Sequence, residues 1–378
     1  RSSDLPSLPV PSAGEEMGPR ARKILVGSDG AEYEEAKVLG SGAHGKASLV
    51  VRKGDDALFV IKHIFVGGMK ESERAACDRE VALLRQVGAH EHPNIIRYYE
   101  HFYDGDDLCI VTNYAQDGDL HQLLEWHRER GYMGIPEADL LTLLAQLCSA
   151  LRLLHGAAIL HRDLKPNNIF VSNSFNLQRV LLGDFGIARQ LSAKTTEVNT
   201  VVGTPFYFSP EVCAGKMYDF KSDIWSLGCV IYEMMTLRRA FPGESLPVVI
   251  MAIHNARYER LQPGACGYSP DLVSIVDRCL CRDPAMRPRV EDILAVPAVA
   301  RAAAEFEQAV ADLGGQEMIT PPPRSPMSPA MRGAFSPSFA SSPVGGGSPA
   351  GGRARGGVGS SSSRDGGGSR GSRGSAKL

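Results

Sequence analysis

The glycine-rich stretch GSGAHGKASLV, residues 40–50, constrains the fold more than any other part of the sequence. Its glycines at 40, 42 and 45 have the G-x-G-x-x-G spacing, and residues 40–46 also read as G-x-x-x-x-G-K. Both patterns bind phosphate groups, the first at a turn of a dinucleotide-binding fold and the second in a P-loop. Both folds place a helix directly after the glycines. The residues that follow the glycines therefore decide which fold the stretch belongs to.

The residues after Gly45 continue as a strand and not as a helix. The run KASLVVRKG is followed, after an Asp-containing turn, by a second run, LFVIKHIFV, and this arrangement predicts antiparallel strands joined by tight turns. A P-loop also needs a hydroxyl group for Mg²⁺ at position 47, where this chain has Ala47. The remaining arrangement is a β-hairpin flap over the phosphates, which protein kinases use.

The order of the predicted elements indicates two lobes. Strand-like runs over residues 33–66 are followed by a helical segment at 71–87 and two more strand-like runs. Long helical segments come next, of which 137–155 is amphipathic and 222–236 is apolar on most faces. We therefore predict an α+β fold with a small β-rich lobe, a junction near 112–118 and a larger helical lobe. A nucleotide site between such lobes is a common arrangement.

Two charged residues in the small lobe are candidates for the phosphate site. Lys62 lies in the apolar run LFVIKHIFV, where an unpaired charge is costly. We expect it to face inward and to pair with phosphate oxygens. Glu80 lies beside Cys77 and Leu84 on the inward face of its helix, and we expect it to be the anion that holds Lys62. The alternative is an ordinary surface lysine and an ordinary surface glutamate.

The segment LHRDLKPNNIF, residues 160–170, matches the catalytic-loop pattern H-R-D-L-x-x-x-N completely. In that pattern Asp163 accepts the proton of the substrate hydroxyl or orients that hydroxyl, and Lys165 neutralises charge on the transferred γ-phosphoryl group. Asn168 and, in the later segment GDFGIAR, Asp184 supply oxygen ligands that suit Mg²⁺. Each residue alone has an ordinary interpretation as a cap or a turn. Their order and spacing together predict ATP-dependent phosphoryl transfer.

With these motifs the chain resembles a eukaryotic protein kinase over about residues 33–298. The segment GTPFYFSPE, which starts at Gly203, resembles the end of a kinase activation segment. The resemblance implies that Glu211 pairs with Arg287 of the later segment DPAMRPRVEDIL. It also implies that Asp223 braces the catalytic loop from below.

Several segments resemble the NIMA-related kinase family, the Nek kinases. They include GKASLV, IVTNYAQDGDL and above all the long stretch from Gly203 to Phe241. Lys165 and Thr204 follow the serine/threonine-kinase pattern. The resemblance implies a serine/threonine protein kinase that uses ATP and Mg²⁺ and acts on protein substrates. Two alternatives stay open, an active kinase of another Ser/Thr family and a pseudokinase, although a pseudokinase would have lost catalytic groups that this chain retains.

The resemblance also implies how ATP is bound. Backbone groups of a hinge would bind the adenine, and apolar side chains would pack on its faces. Thr112 falls at the gatekeeper position behind the adenine, where a larger residue such as Met is common. His44 stands at the tip of the flap, where the family usually has Phe or Tyr. The residues expected around the nucleotide are Leu39, Gly40, Ser41, Gly42, Gly45, Ala47, Val60, Lys62, Asn113, Tyr114 and Ala115.

Regulation and substrate preference follow from the same resemblance. Thr200, four residues before Thr204, aligns best with the family's activating phosphosite, and its phosphate would pair with Arg162. Asn167 stands where many Arg-directed kinases have Glu, which disfavours a strong demand for Arg before the target. The family resemblance implies an apolar residue three positions before the phosphoacceptor, and Ile187 favours Thr over Ser as the acceptor.

The composition divides the chain into further parts. The kinase-like region consists of lobes at about 33–112 and 118–298. Residues 1–30 are rich in Ser, Pro and Gly and predict a flexible segment, whereas 299–317 predict a short helical extension that packs on the domain. Residues 318–378 contain eight basic residues and one acid and predict a disordered basic tail. Their six Ser-Pro or Thr-Pro dipeptides are either targets of proline-directed kinases or low-complexity spacer.

Charge and cysteine content limit the partners and the compartment. A net charge of -2 over 378 residues is typical neither of nucleic-acid binding nor of a membrane-surface protein. We find no continuous apolar run of the roughly 18 residues that a membrane span needs. The eight cysteines form no C-x-x-C motif, which predicts free thiols in a reducing intracellular compartment. By family resemblance this is the cytoplasm or nucleus, with the cytoskeleton, centrosome or cilium as more specific sites.

Overall fold

The computed structural model describes residues 23–42, 45–172, 179–184, 205–264 and 267–313. These residues belong to one compact unit of the chain. They form an antiparallel sheet with one helix, followed by a lobe that is mainly helical. The α+β fold class and the order of the two lobes, both predicted from the sequence, are therefore confirmed.

The small lobe is built on a six-stranded sheet. Its strands are β1 (Ile24–Val26), β2 (Glu32–Gly42), β3 (Gly45–Arg52), β4 (Leu58–Phe65), β5 (Tyr98–Asp104) and β6 (Asp107–Asn113). They lie in the order β1-β2-β3-β4-β6-β5, and each neighbouring pair is antiparallel. Helix α1 (Glu71–Gly88) connects β4 to β5, as the apolar spacing of 71–87 predicted.

Strand β1 lies within residues 1–30, which the sequence predicted to be flexible. Its middle residue, Leu25, is only 2% exposed and enters a core on the outer face of the sheet. In that core the ring of Tyr33 stacks on Phe102, with 6.3 Å between their centroids. The predicted flexible segment is therefore too long at its C-terminal end, because the Ser, Pro and Gly content of the whole segment concealed one apolar strand.

The two faces of β4 pack into two different hydrophobic cores. Phe59 and Ile61 enter the outer-face core, whereas Ile64 enters the main core that continues into the helical lobe. Successive side chains of a strand point to opposite faces of the sheet. Val60 and Lys62 therefore share the inner face with Ile64.

The helical lobe begins after β6. Its helices are α2 (Leu120–Glu129), α3 (Glu137–Gly156), α4 (Pro210–Cys213), α5 (Phe220–Thr236), α6 (Leu246–His254), α7 (Pro270–Cys279), α8 (Val290–Leu294) and α9 (Pro297–Asp312). Strands β7 (Ile169–Ser172) and β8 (Arg179–Leu182) form a separate antiparallel pair. Helix α5 is buried from Ser222 to Met235, as its nearly uniform apolar sequence predicted.

Helix α3 is the central helix of this lobe. By length and composition alone it would be long and apolar enough to cross a membrane. In the structure Leu143, Leu147 and Leu151 are fully buried within the main core. Helix α9 packs against α3 and buries Val299 and Phe306. This contact confirms the prediction that the helix after residue 297 packs on the domain.

Candidate active site

Strands β2 and β3 form the hairpin that the glycine-rich stretch predicted. The two strands pair as far as Gly42 and Gly45, and the tip residue His44 lies outside the described residues. Gly45 has a φ of +115°, and a Cβ added there would lie 1.9 Å from the carbonyl oxygen of His63. Only glycine combines this backbone conformation with so close an approach of β3 to β4.

The inner face of the sheet carries side chains that were predicted to line the adenine site. Ala47 on β3 lies opposite Lys62, and Val60 lies opposite Thr112 of β6. These four residues, and Leu39 on β2, are partly exposed. Partial exposure is expected for residues that line an open cleft between two lobes.

The hinge begins where β6 ends, at Asn113. The Asn113 backbone N–H donates to the carbonyl oxygen of Arg97 at 3.1 Å, and its side-chain oxygen accepts from the Arg97 N–H at 2.8 Å. These two bonds fasten the start of the hinge to the chain just before β5. The hinge residues expected to meet the adenine, Tyr114 and Ala115, follow directly after this fixed point.

A buried carboxylate holds the catalytic loop from below. Asp223 on α5 is 0% exposed and accepts the backbone N–H groups of His161 at 3.0 Å and Arg162 at 3.1 Å. It also bonds to the His155 ring at 2.9 Å and accepts from the Tyr218 hydroxyl at 2.6 Å. Burial acts to raise the pKa of Asp223, but these partners outweigh it and hold that pKa below its ordinary value. The bracing role predicted for Asp223 is confirmed.

His161 connects the catalytic loop to the strand that leads to Asp184. Its Nδ1 accepts the backbone N–H of Asp163 at 3.3 Å, so the ring proton is on Nε2, which donates to the Gly183 carbonyl at 3.1 Å. Burial lowers the pKa of His161, in agreement with a neutral ring. The next residue, Arg162, has a φ of +68°, a conformation that costs a non-glycine residue energy and that the bond to Asp223 maintains.

Asp163, Lys165 and Asn168 converge as the catalytic-loop pattern predicted. The Lys165 ammonium lies 2.7 Å from Oδ2 of Asp163. The Asn168 amide donates to the same carboxylate oxygen at 2.9 Å and to the Asp163 carbonyl at 2.7 Å. A 3₁₀ turn over Pro166–Asn168 brings Asn168 back toward Asp163. Since the amide nitrogen makes both bonds, the side-chain oxygen of Asn168 is the atom that can bind a cation.

Lys62 forms an ion pair with Asp184, with 2.7 Å between Nζ and Oδ1. The sequence predicted Glu80 as its partner. Glu80 lies in α1 as expected, but its side chain is outside what the structure describes. Loss of water acts to raise the pKa of Asp184, and the charge of Lys62, with a smaller effect of Lys165, holds it below its ordinary value. The Gly183 backbone N–H donates to the Asn168 carbonyl at 3.0 Å, and this bond places the Lys62–Asp184 pair and the catalytic-loop group in one cluster.

This cluster fits a magnesium ion. Mg²⁺ prefers hard oxygen ligands and is usually held by one or two protein groups together with substrate phosphates and water. The carboxylate of Asp184 and the side-chain oxygen of Asn168 are ligands of that kind. Within the described ranges no three His, Cys, Asp or Glu side chains form a group that could hold a metal alone. The remaining ligands would therefore come from the nucleotide and from water.

A second ion pair fixes the segment that follows residue 205, at the end of the predicted activation segment, to the helical lobe. Arg287 binds both carboxylate oxygens of Glu211, at 2.7 and 2.8 Å, and its guanidinium lies over the Trp225 ring at 4.9 Å. Burial acts to raise the pKa of Glu211, but the bonds from Arg287 lower it to about 2. The pairing that the family resemblance implied is confirmed.

Some expected residues fall outside the described ranges, and one network was not expected. Thr200 lies outside them, so its regulatory role stays a prediction, while its expected partner Arg162 is described.

The unexpected network joins Glu233 of α5 to Arg128 and Tyr207. Its signal in the sequence was a lone Glu within the apolar helix SDIWSLGCVIYEMMT, because a buried carboxylate requires partners.

Comparison with known proteins agrees with this geometry. A family model described as a protein kinase domain matches residues 33–299. The probable serine/threonine-protein kinase nek3 of Dictyostelium discoideum is 42% identical over 267 residues, which cover 70% of this chain and 23% of that protein. Mouse Nek1 is 38% identical over 275 residues, or 73% of this chain and 22% of that protein. Human Nek2 is 36% identical over 308 residues, which cover 79% of this chain and 67% of that protein. The chain thus spans about a quarter of the first two relatives.

Proposed function

The chain belongs to the Nek family of protein kinases, and we propose that it transfers the γ-phosphoryl group of ATP to serine and threonine residues of proteins. The observation that carries this proposal is the convergence of Asp163, Lys165 and Asn168 beside the Lys62–Asp184 pair. A carboxylate, two ammonium groups and two oxygen ligands are what in-line phosphoryl transfer requires.

Each residue of the cluster has a distinct task in the proposed reaction. Asp163 orients the substrate hydroxyl and accepts its proton, and Lys165, 2.7 Å away, neutralises charge at the phosphoryl group in transfer. Lys62 binds the phosphates that precede the transferred group. Asn168 and Asp184 would hold Mg²⁺, which when bound supplies further positive charge against the phosphate oxygens. The glycine hairpin lets the backbone lie close over those phosphates.

Replacing Asp163 with Asn tests the proposed activity. We expect phosphate transfer from labelled ATP to a peptide array to fall by about 10²–10⁴-fold, because the variant keeps the shape of the loop but cannot accept a proton. The matched control is Asp271→Asn, the same change at an exposed position at the start of α7. Asp163→Asn activity within threefold of the control would contradict the proposed role of Asp163.

Thr112 is proposed as the gatekeeper of the ATP site. It lies opposite Val60 on the inner face of the sheet, and its short side chain would leave room behind the adenine. We expect Thr112→Met to weaken bulky ATP-site inhibitors by about tenfold or more, since one or two lost methylene-sized contacts and a steric clash together exceed 1.4 kcal/mol. The KM for ATP serves as the internal control. Unchanged inhibitor affinity would show that Thr112 does not border the inhibitor site.

Phosphorylation of Thr200 is proposed to activate the enzyme through Arg162. The support is the alignment with the family's phosphosite and the position of Arg162 directly before Asp163. In a phosphorylated preparation we expect Thr200→Ala to lower kcat/KM about tenfold or more, because about one to three charge-assisted bonds are lost. Thr195→Ala and Thr196→Ala, in the same segment, are the controls. Full activity of Thr200→Ala would refute this role.

Substrate, tail and location are proposed from the family resemblance. We expect an apolar residue three positions before the acceptor, and a peptide-library profile directed by Arg or Pro would favour a kinase of another family. The dipeptides of 318–378 are proposed as targets of proline-directed kinases. The seven described cysteines are free thiols, which supports a reducing compartment, and the cytoplasm, nucleus, cytoskeleton, centrosome or cilium are the proposed sites.

A further inference from the structure

The residues that end the activation region lie along helix α5, beside the catalytic loop. Asp223 of α5 holds that loop, and one turn later Ser226 donates a hydrogen bond to the Tyr207 carbonyl at 2.8 Å. Glu233 lies ten residues after Asp223, which corresponds to about 15 Å of helix. An extended peptide rises about 3.3 Å per residue. A substrate with its acceptor at Asp163 can therefore place a side chain about four or five residues away near the Glu233 end of α5.

The carboxylate at that end is already neutralised by the chain itself. Glu233 is only 2% exposed, and Arg128 binds its Oε1 at 2.6 Å while the Tyr207 hydroxyl donates to its Oε2 at 2.6 Å. Arg128 is itself fixed by a bond to the Leu237 carbonyl at 2.5 Å. Both oxygens of Glu233 are thus in use, and a basic substrate side chain would have to displace Arg128 to reach them.

A cation lies beside this network, on the ring of Phe206, the residue before Tyr207. The guanidinium of Arg239 stacks on the ring of Phe206, 3.8 Å from its centroid, and Arg239 is exposed. Among the ion pairs between described residues, Arg128 and Arg238 each have a carboxylate partner and Arg239 does not take part in any. Stacking on an aromatic ring holds the planar guanidinium in place and leaves its N–H edge to bind a carboxylate or a phosphate.

We propose that Arg239, presented on Phe206 beside the Tyr207–Glu233 contact, binds an acidic side chain of the protein substrate about four or five residues from the phosphoacceptor. At this substrate position the chain then selects acidic side chains. A Glu233 carboxylate without Arg128 would instead favour basic side chains there. This inference rests on the proposed kinase activity and names a feature of its substrates. Arg239 acts here as a specificity-determining residue, away from the reacting atoms.

A set of matched peptides tests this selection. A neutral peptide with one Thr acceptor is varied by placing Glu or Lys at each position within six residues of that Thr, and kcat/KM is measured for every pair. For the unaltered chain we expect Glu to exceed Lys about tenfold at one or two positions four or five residues from the acceptor. Arg239→Ala should bring the Glu-to-Lys ratio at those positions near one, Arg239→Glu should invert it, and Arg239→Lys should keep its direction.

The ratio is an internal measure, because a partial loss of folded enzyme lowers both rates equally. Arg301→Glu, on the exposed side of α9, makes the same change in net charge away from Phe206 and should keep the original ratio. Equal rates for Glu and Lys at all positions, or a preference that survives Arg239→Glu, would overturn this inference while the kinase activity stands. A complete lack of transfer, with Asp163→Asn no different from the unaltered chain, would overturn the proposed activity and this inference with it.

Discussion

Replacing Arg287 with Met is expected to lower the free energy of unfolding by about 3–5 kcal/mol, because it leaves the Glu211 carboxylate without its partner in a buried site. In the structure Arg287 is 2% exposed and Glu211 9% exposed. The guanidinium binds both carboxylate oxygens and also the carbonyl oxygens of Lys221, Cys281 and Arg282. Met fills similar space but supplies none of these donors. Chemical denaturation at pH 7 measures the loss.

The loss should depend on pH in a defined direction. In the unaltered chain the pKa of Glu211 is lowered from 4.5 to about 2, so its contribution to stability is present above pH 4.5 and is lost as the pH falls toward 2. Without Arg287, burial remains and raises that pKa above the unfolded value. The folded variant then takes up a proton more readily than its unfolded chain. The difference in stability between the variant and the unaltered chain should therefore be smaller at pH 4.5 than at pH 7.

The double variant Arg287→Met with Glu211→Leu is the control, because replacement of a buried ion pair by apolar groups is often close to neutral. It should recover most of the stability that the single variant loses. Because it has no buried Glu211, it should not show the gain in relative stability on acidification that Glu211 gives the single variant. A single variant with a loss below about 1 kcal/mol at pH 7 would contradict the assigned role of the pair.

The sequence predicted the elements whose own pattern is strong. The long apolar spacing of α3, the nearly continuous apolar run of α5 and the glycine hairpin were all found where the pattern placed them. The catalytic-loop residues were predicted by their fixed spacing, which is local information. Asp163, Lys165 and Asn168 lie within six residues, so one loop brings them together regardless of the rest of the chain.

Features that depend on distant contacts were predicted only through the family resemblance, as for Glu211 and Arg287, or were not predicted at all. The ion pair of Lys62 with Asp184 joins residues that are 122 positions apart, and no local pattern indicates it. Strand β1 forms because Leu25 can enter a core made by the other five strands of the sheet, β2 to β6. Helix α6 was missed because LPVVIMAIH is short and apolar throughout, a pattern that a buried strand also shows. Helix α2 was also not predicted, although Asp119 and Gln122 form a capping box at its start.

The second large effect is expected for Asp223→Asn, which changes one atom of a side chain that makes four bonds. Oδ2 bonds to the His155 ring and the His161 N–H, and Oδ1 accepts from the Arg162 N–H and the Tyr218 hydroxyl. Asn has a single side-chain oxygen, so its amide group faces a backbone N–H donor whichever way it is placed, that of His161 or that of Arg162. Each lost bond to the charged carboxylate is worth about 1.5–3 kcal/mol. We expect the free energy of unfolding to fall by about 3 kcal/mol.

We expect Asp223→Asn to lower kcat as well as the free energy of unfolding. Arg162 is held at a φ of +68° by its bond to Asp223, and Asp163 is the next residue. A displacement of about 1 Å at a reacting group costs about a hundredfold in rate, and we expect kcat to fall by that amount. The KM for ATP should change little, because the residues expected at the nucleotide lie mainly on the sheet and hinge. This separation of kcat from KM distinguishes a displaced catalytic loop from general unfolding.

Tyr218→Phe is the matched control, because it removes one donor to Asp223 and leaves both loop N–H bonds in place. It should cost about 1.5–3 kcal/mol, the worth of one bond to a charged acceptor, and should leave kcat within about threefold. The comparison separates the two contributions of Asp223, since Tyr218 contributes to stability alone while His161 and Arg162 also set the position of Asp163. If Asp223→Asn kept full kcat, the loop would have to be positioned by other contacts, such as the bond from His161 to Gly183. If both variants lost kcat equally, Tyr218 itself would be part of the support for the catalytic loop.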